Sequence, residues 1–310
     1  MKFCSAAALH RVIVHADDFG ISEKQSRRIL NCARKATDGV RAVADASAGA
    51  LNSLSVLVTS PRYRECVQML EPYGENVAVG LHVNLVEGRC AADAERIPLL
   101  VDANGVFKRG FGGLLLVSIV HPRKSREQLA EEIGAQLRLF LNSFPERKER
   151  LRVDSHQHFH LIPAVFDALV AAIEESGCTV EYIRIPAEPL APHVRARTLR
   201  LVPPVNWVKC GVLNALWLVN KRKVPEVMHH TAVFCGVCFS GCMTKANVAR
   251  VGEHFKRYAV SRNMPVEFLF HPGGVDNEEE CLNPALPGFV RFYVSPNRAA
   301  EAKAAAAMSI

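Results

Sequence analysis

Val12-Ile13-Val14-His15-Ala16-Asp17-Asp18-Phe19-Gly20 is an apolar run that ends on two adjacent carboxylates and a glycine. A short run rich in β-branched residues reads as a buried strand. A strand that delivers polar groups at its C-terminal end is how α/β enzymes build a site. Two other stretches repeat the arrangement. The apolar segment 77–85 carries Gly80-Leu81-His82-Val83-Asn84-Leu85, and Leu151-Arg152-Val153 leads into Asp154-Ser155-His156-Gln157-His158-Phe159-His160. Two or more His with an Asp, and positions left open, make the donor set of a catalytic divalent metal. The chain therefore reads as a metal-assisted hydrolase.

The rest of the sequence supplies the frame for these strands. Ser22 caps a helix over 22–35, Pro61 opens one over 61–70, and Leu129, Ile133, Leu137 and Phe140 mark one over 125–144. Pro163 opens a helix that Gly177 closes, and further helices are expected over 245–258 and, with a frayed end, 299–308. Further strands are expected at 53–58, 182–185, 233–234 and 266–270. Strand and helix alternate about seven times, which means a parallel sheet covered by helices, either a barrel or an open doubly wound sheet. The Gly-rich connection after Leu85, with Gly110 and Gly112-Gly113, reads as a long functional loop or lid.

At 310 residues and 49% hydrophobic content, the chain can bury one large core, and residues 1–310 are read as a single domain. The net charge of +7 owes much to Arg195, Arg197, Arg200, Lys209, Lys221, Arg222 and Lys223, within a stretch at 190–229 that reads as an insertion. A basic cluster of this kind can face nucleic acid, a membrane surface or an acidic ligand, although a solvated surface is the commoner case. Ten scattered Cys are not a disulfide scaffold. Reduced thiols and a cytoplasmic location are expected, since no run of about 20 uncharged apolar residues appears and residues 1–10 are too short for a signal peptide core.

Each motif has a plainer alternative. Asp17-Asp18 can hydrogen-bond its own turn, and both carboxylates share one site only if the strand turns there, as Gly20 permits. His82 can be a satisfied core His; Asn84, two residues on, shares its face and could bond a ligand or substrate. Three imidazoles within 156–160 have no packing rationale. Asp154, His156, His158 and His160 share a face while extension lasts, and spacing leaves both the His156/His158 and the His156/His160 pair open as ligands. His271, before Pro272-Gly273-Gly274, suits a general acid or a structural turn. Cys235, Cys238 and Cys242, after His229-His230, lack the spaced second pair of a closed zinc site and read as ordinary thiols.

Together these motifs resemble the YdjC-like carbohydrate deacetylases, which include chitooligosaccharide deacetylases. The matching stretches are 16–20, 80–85 with Glu87-Gly88, 154–158 with His160, Arg184-Ile185-Pro186 and His271-Pro272-Gly273, in that family's order. The resemblance implies an irregular (β/α) barrel related to NodB-type deacetylases and removal of acetyl groups from N-acetylated sugars. It implies that Asp18, His82 and His156 hold a divalent metal, Mg²⁺ or alternatively Zn²⁺, with Asp17 as general base and His271 as general acid. Asn84, His158, His160 and Arg184 are the expected substrate contacts. The family often has Asn where this chain has His15; that departure, the 190–229 stretch and the Cys-rich segment bear on the substrate. Competing functions are a metal-dependent phosphoesterase on a similar barrel, or a non-catalytic protein using the basic segment. An acetylated carbohydrate is the expected partner, a homodimer is compatible with the sequence, and no membrane or nucleic-acid partner is expected.

Overall fold

The computed structural model describes residues 1–3, 11–34, 49–225 and 231–309. Its centre is an eight-stranded, all-parallel sheet: β1 (Lys2–Phe3), β2 (Val12–Phe19), β3 (Ser53–Val56), β4 (Ala78–Val83), β5 (Leu151–Ser155), β6 (Thr179–Ile183), β7 (Val233–Cys235) and β8 (Val266–Phe270). Their order across the sheet is β1-β6-β5-β4-β3-β2-β8-β7. The seven expected strands are all present, with shorter bounds for some, and the two-residue edge strand β1 is the addition. Cys4, the rest of 4–10, and residues 35–48 lie outside the described residues.

The sheet is curled into an open half-barrel. Four strands separate β6 from β8, so on a flat sheet they would lie about 24 Å apart at ~4.8 Å per strand. Yet the Tyr182 hydroxyl of β6 donates to the Glu267 carboxylate of β8, and Arg184 Nε, just past β6, lies 2.7 Å from Glu267 Oε1. Only a strongly coiled sheet brings those side chains together on its concave side.

Helices cover the sheet: α1 (Glu23–Leu30), α2 (Tyr63–Gln68), α3 (Phe111–Val120), α4 (Pro122–Ser143), α5 (Pro163–Ser176), α6 (Leu190–Arg195), α7 (Pro204–Asn220), α8 (Lys245–Val260), α9 (Pro287–Tyr293) and α10 (Asn297–Ala306). The Ser22 side chain caps α1 by accepting from Gln25 N, and Gly177 ends α5 at φ 68°. In α4 the buried stripe is Leu129, Ile133, Leu137 and Phe140.

Three regions differ from the sequence expectation. The Gly112-Gly113 pair lies inside helix α3, because the apolar run that follows it buries Leu114 and Val117. The described part of the 190–229 stretch, residues 190–225, forms α6 and α7 rather than a wholly solvated loop. Helix α7 buries Cys210, Leu213, Trp217 and Asn220, and Asn220 Nδ2 donates to Leu161 O. The terminal helix buries Arg298, Glu301, Ala304 and Ala305. No helix among the described residues is long and apolar enough to cross a membrane.

Candidate active site

The site begins with a β-bulge. β2 pairs with β3 at His15↔Ser53 and Ala16↔Leu54, then resumes at Phe19↔Val56, so Asp17 and Asp18 both stand opposite Ser55. The extra residue is accommodated by Asp18 itself, at φ 67°, with Gly20 following at φ 110°. An ordinary strand would send adjacent side chains to opposite faces. Here the left-handed residue turns both carboxylates to one side, and both border the same cavity.

Three donors converge beside that bulge. One ligand atom each from Asp18, His82 and His156 lies within 4.8 Å of the others, and all three residues are buried. Asp18 Oδ1 is 2.8 Å from His156 Nδ1 and 3.3 Å from His82 Nε2. Neither Asp18 oxygen, nor His82 Nε2, makes a well-formed hydrogen bond. The outer ring nitrogens are held by carboxylates: His82 Nδ1 lies 2.5 Å from Asp154 Oδ1, and His156 Nε2 lies 3.1 Å from Glu87 Oε1. Carboxylates that bind the far nitrogens leave Nε2 of His82 and Nδ1 of His156 aimed inward, as in carboxylate–histidine–metal sites. The residues present therefore fit a divalent cation.

The metal-free protein holds protons there instead. Burial disfavours charged imidazoles, but Asp17 and Asp154 outweigh it at His82, raising its pKa to about 9. Burial is outweighed likewise at His156 by Asp18 and then by Glu87, raising its pKa to about 10. A cation bound there would have to displace these protons, so its affinity is expected to rise with pH up to those values. Replacing Glu87→Gln removes the anionic partner of His156 and is expected to weaken metal binding about 10- to 100-fold. Competition with a chromophoric chelator at fixed pH measures it, and unchanged affinity would separate Glu87 from the metal site.

Asp17 is anchored from behind. Its Oδ1 accepts from Arg184 Nη1 at 2.8 Å and Ser55 Oγ at 3.2 Å, and lies 3.2 Å from His15 Nε2. Burial alone would raise the Asp17 pKa, yet Arg184 and then His82 hold it well below the usual carboxylate range. Arg184 also reaches Asp154 Oδ2 at 2.9 Å and Glu267 at 2.7 Å, a cation among three carboxylates. His15 joins this network through Ser53 Oγ at 2.8 Å and Ser55 Oγ at 3.2 Å. His15, Asp17 and Asp154 form a second set of donors within 4.8 Å of one another, which Arg184 neutralises.

His271 faces Asp17 from the residue after β8, with Nε2 3.9 Å from Asp17 Oδ2. Helix α10 holds it: Glu301 Oε2 accepts the His271 backbone N–H at 2.6 Å and lies 3.7 Å from Nδ1. Arg298 donates to His271 O at 3.1 Å and pairs with Glu301.

The cavity, about 500 Å³, is lined by Asp17, Asp18, His156, His158 and His271 at its polar end. Its other walls come mainly from α7, α9 and Phe111 of α3. The expected substrate contacts divide. His158 borders the cavity beside Phe234, with burial and then Arg184 holding its pKa well below normal. Asn84, His160 and Arg184 lie behind the cavity wall and are fully buried. Asn84 donates to Thr59 Oγ1 and Glu87 O and accepts from Val86 N and Glu87 N, which shapes the loop that aims Glu87. His160 bonds Ser155 Oγ and Arg184 O. The expected alternation of 154–160 stops at Ser155, because Gln157 and His158 are left-handed, at φ 51° and 60°. His156 and His160 consequently part company.

Cys238 lies near Glu188 and His193 rather than making a site with Cys235 and Cys242. Glu188 Oε2 is filled by the backbone N–H groups of Gly236, Val237 and Cys238, and Oε1 by His193. All nine described cysteines are free thiols, and His229-His230 lie outside the described residues.

The family model for YdjC-like proteins matches residues 11–307. The chain belongs to the YdjC-like family. Among relatives of this YdjC-like chain, a carbohydrate deacetylase of Danio rerio is 28% identical over 58% of this chain and 50% of its own length. One of Mus musculus is 31% identical over 57% and 51%, and a chitooligosaccharide deacetylase of Klebsiella pneumoniae is 27% identical over 56% and 59%. The chain spans about half the length of the curated relatives it matches. In fold it is similar to a solved structure from Enterococcus faecalis V583 named for cellobiose-phosphate cleavage, with a TM-score of 0.60 at 17% identity over 95% of this chain and 90% of the other.

Sequence reasoning gave no role to Asp154, Glu87, Tyr293 or the Arg298–Glu301 pair. Tyr293 OH donates to Glu87 Oε1 at 2.5 Å, 3.4 Å from His156 Nε2. The signal was available only for Asp154 and Glu87, which stand inside the motifs. Tyr293 lies in a plain apolar helix.

Proposed function

We propose that this YdjC-like chain is a metal-dependent hydrolase that removes acetyl groups from N-acetylated sugars. The observation that carries the reading is the bulge opposite Ser55, which sets Asp17 beside the Asp18–His82–His156 donor set at one end of a cavity. The names of the relatives supply the substrate class.

A divalent cation held by Asp18, His82 and His156 would lower the pKa of a bound water and polarise a carbonyl oxygen. Two imidazole nitrogens and one carboxylate favour Zn²⁺ or a similar transition ion over the Mg²⁺ expected first, because Mg²⁺ prefers oxygen donors. Asp17 Oδ2 takes the proton of the attacking water. Arg184 keeps that carboxylate ionised and fixed, so the proton is held only in passage. As the acetamide C–N bond breaks, His271 Nε2 delivers a proton to the departing nitrogen, leaving acetate and a free amine. Glu301 holds the His271 backbone, from which the ring reaches toward Asp17. His158, largely uncharged, offers a hydrogen bond to a sugar hydroxyl. Asn84, His160 and Arg184 position the site from behind and do not touch substrate. The free thiols support a reducing compartment, the cytoplasm by default.

The test is acetate release from N-acetylated di- and trisaccharides by purified protein loaded in turn with Zn²⁺ and Mg²⁺, with phosphate release from sugar phosphates measured alongside. Metal-dependent acetate release supports the reading. Phosphate release without acetate would replace it with a phosphoesterase.

A further inference from the structure

We infer that the protein has a second binding site, at the end of the half-barrel opposite the candidate active site, and that it takes a small phosphate monoester. A cavity of about 650 Å³ opens there. Its wall includes Ala78 and Val79, where β4 begins, and Arg150 and Arg152 at the start of β5. Asp18, His82 and His156 gather at the other, C-terminal ends of the strands. His82 is four residues beyond Ala78, about 13 Å along a strand. The two cavities share no lining residue. A volume of this order suits a ligand of sugar or polyol size.

The wall is rich in cations and short of buried anions. Arg147, Arg150 and Arg152 all line it, and Glu181 is its one buried carboxylate. Glu181 is shared: Oε1 accepts from Arg150 Nη2 at 2.6 Å, and Oε2 accepts from Arg152 Nε at 2.6 Å. Arg147 stands outside that pairing. Its Nε is buried and makes no hydrogen bond, and the Glu146 carboxylate 3.5 Å away belongs to a side chain that is 62% exposed. Burial lowers the Arg147 pKa, and Arg152 adds to this although Glu146 opposes it.

Charge selects the ligand. Three guanidinium groups against one buried carboxylate leave an excess of two positive charges. A phosphate monoester carries nearly two negative charges at neutral pH, and guanidinium forks bind phosphate oxygens in pairs. The other acids of the wall, Glu71, Glu75 and Glu146, are exposed. They repel a long polyanion such as nucleic acid and spare a compact one that reaches the arginines.

Arg152 also ties this cavity to Asp17. Its Nη1 donates to Ser53 Oγ at 3.5 Å, Ser53 Oγ lies 2.8 Å from His15 Nδ1, and His15 Nε2 lies 3.2 Å from Asp17 Oδ1. All four residues are buried. An anion that draws Arg152 lengthens the longest of these contacts, so His15 senses the ligand. Neither the site nor this link rests on the deacetylase reading.

Isothermal titration of the full chain with glycerol 3-phosphate, without added metal, tests the site. One-to-one binding is expected, weakening below about pH 6 as the phosphate regains its second proton. Arg147→Gln should lower the affinity about 10- to 100-fold, the worth of a hydrogen bond to a charged group. Ser143→Glu keeps every arginine, adds an opposing charge at an exposed wall position, and should weaken binding as well. His271→Ala, in the other cavity, should leave it unchanged. No binding, or binding that His271→Ala weakens and the two wall variants do not, overturns the site. Equal affinity for succinate overturns the phosphate class. With isotope-labelled histidine, glycerol 3-phosphate should shift the imidazole resonance that His15→Asn removes. A bound ligand that leaves this resonance in place overturns the link to Asp17 and keeps the site.

Discussion

Asp17→Asn is expected to lower kcat for acetate release by about 10²- to 10⁴-fold, the usual contribution of general acid–base catalysis, while the metal stays bound. The substitution keeps the shape of the side chain but removes the acceptor oxygen turned toward His271. The donors Asp18, His82 and His156 are untouched, and their outer partners Asp154 and Glu87 remain. Arg184 loses one of three carboxylates and keeps Asp154 and Glu267. Metal content by elemental analysis together with acetate release reads both halves. Full activity would remove Asp17 from the proton path, and simultaneous loss of the metal would make it a ligand.

Arg184→Met should destabilise the fold by about 3–5 kcal/mol, the range for breaking a buried ion pair by removing one partner. Arg184 is 0% exposed and is the shared cation of Asp17, Asp154 and Glu267, with the Tyr182 hydroxyl bonded to Glu267 beside it. Methionine fills a similar volume, so packing alone changes little. What remains is three buried carboxylates crowded together. Each keeps a neutral or imidazole partner but loses the shared cation, so it must be protonated or held charged against its neighbours, and both cost free energy. Urea denaturation of the metal-free protein measures the effect. A midpoint equal to that of the parent chain would mean that the protons on His82 and His156 already neutralise the cluster.

The sequence makes the strands and donors legible because each is a local contradiction: charged or imidazole groups at the ends of apolar runs. Asp17, Asp18, His82, His156 and His271 are of that kind, and the structure brings them to one cavity or its edge. The two left-handed residues after His156 are invisible to a pattern that assumes continued extension, so His160 and His158 appear equivalent until the turn separates them. Arg298 and Glu301 stand three apart on an alanine-rich helix and look like a solvated pair, yet they are buried against His271. Helix α3 hides behind two glycines. Asn84 has the right face for substrate, but its amide is spent on its own loop.

The sheet order also has a consequence for biosynthesis. β2, β3, β4 and β5 are neighbours in space in the same succession as along the chain. All three residues of the candidate metal site lie within that succession or one residue past it, by His156. His271 just past β8 and Glu301 on α10 come from much later sequence, and β8 must dock beside β2, among the first strands made. A chain emerging from the ribosome therefore carries its Asp18–His82–His156 set long before His271, the proposed acid, or the network behind Asp17 is made. Under the proposed function, the acid and its helix would reach the donor set only when the last helix has folded back onto the first strands.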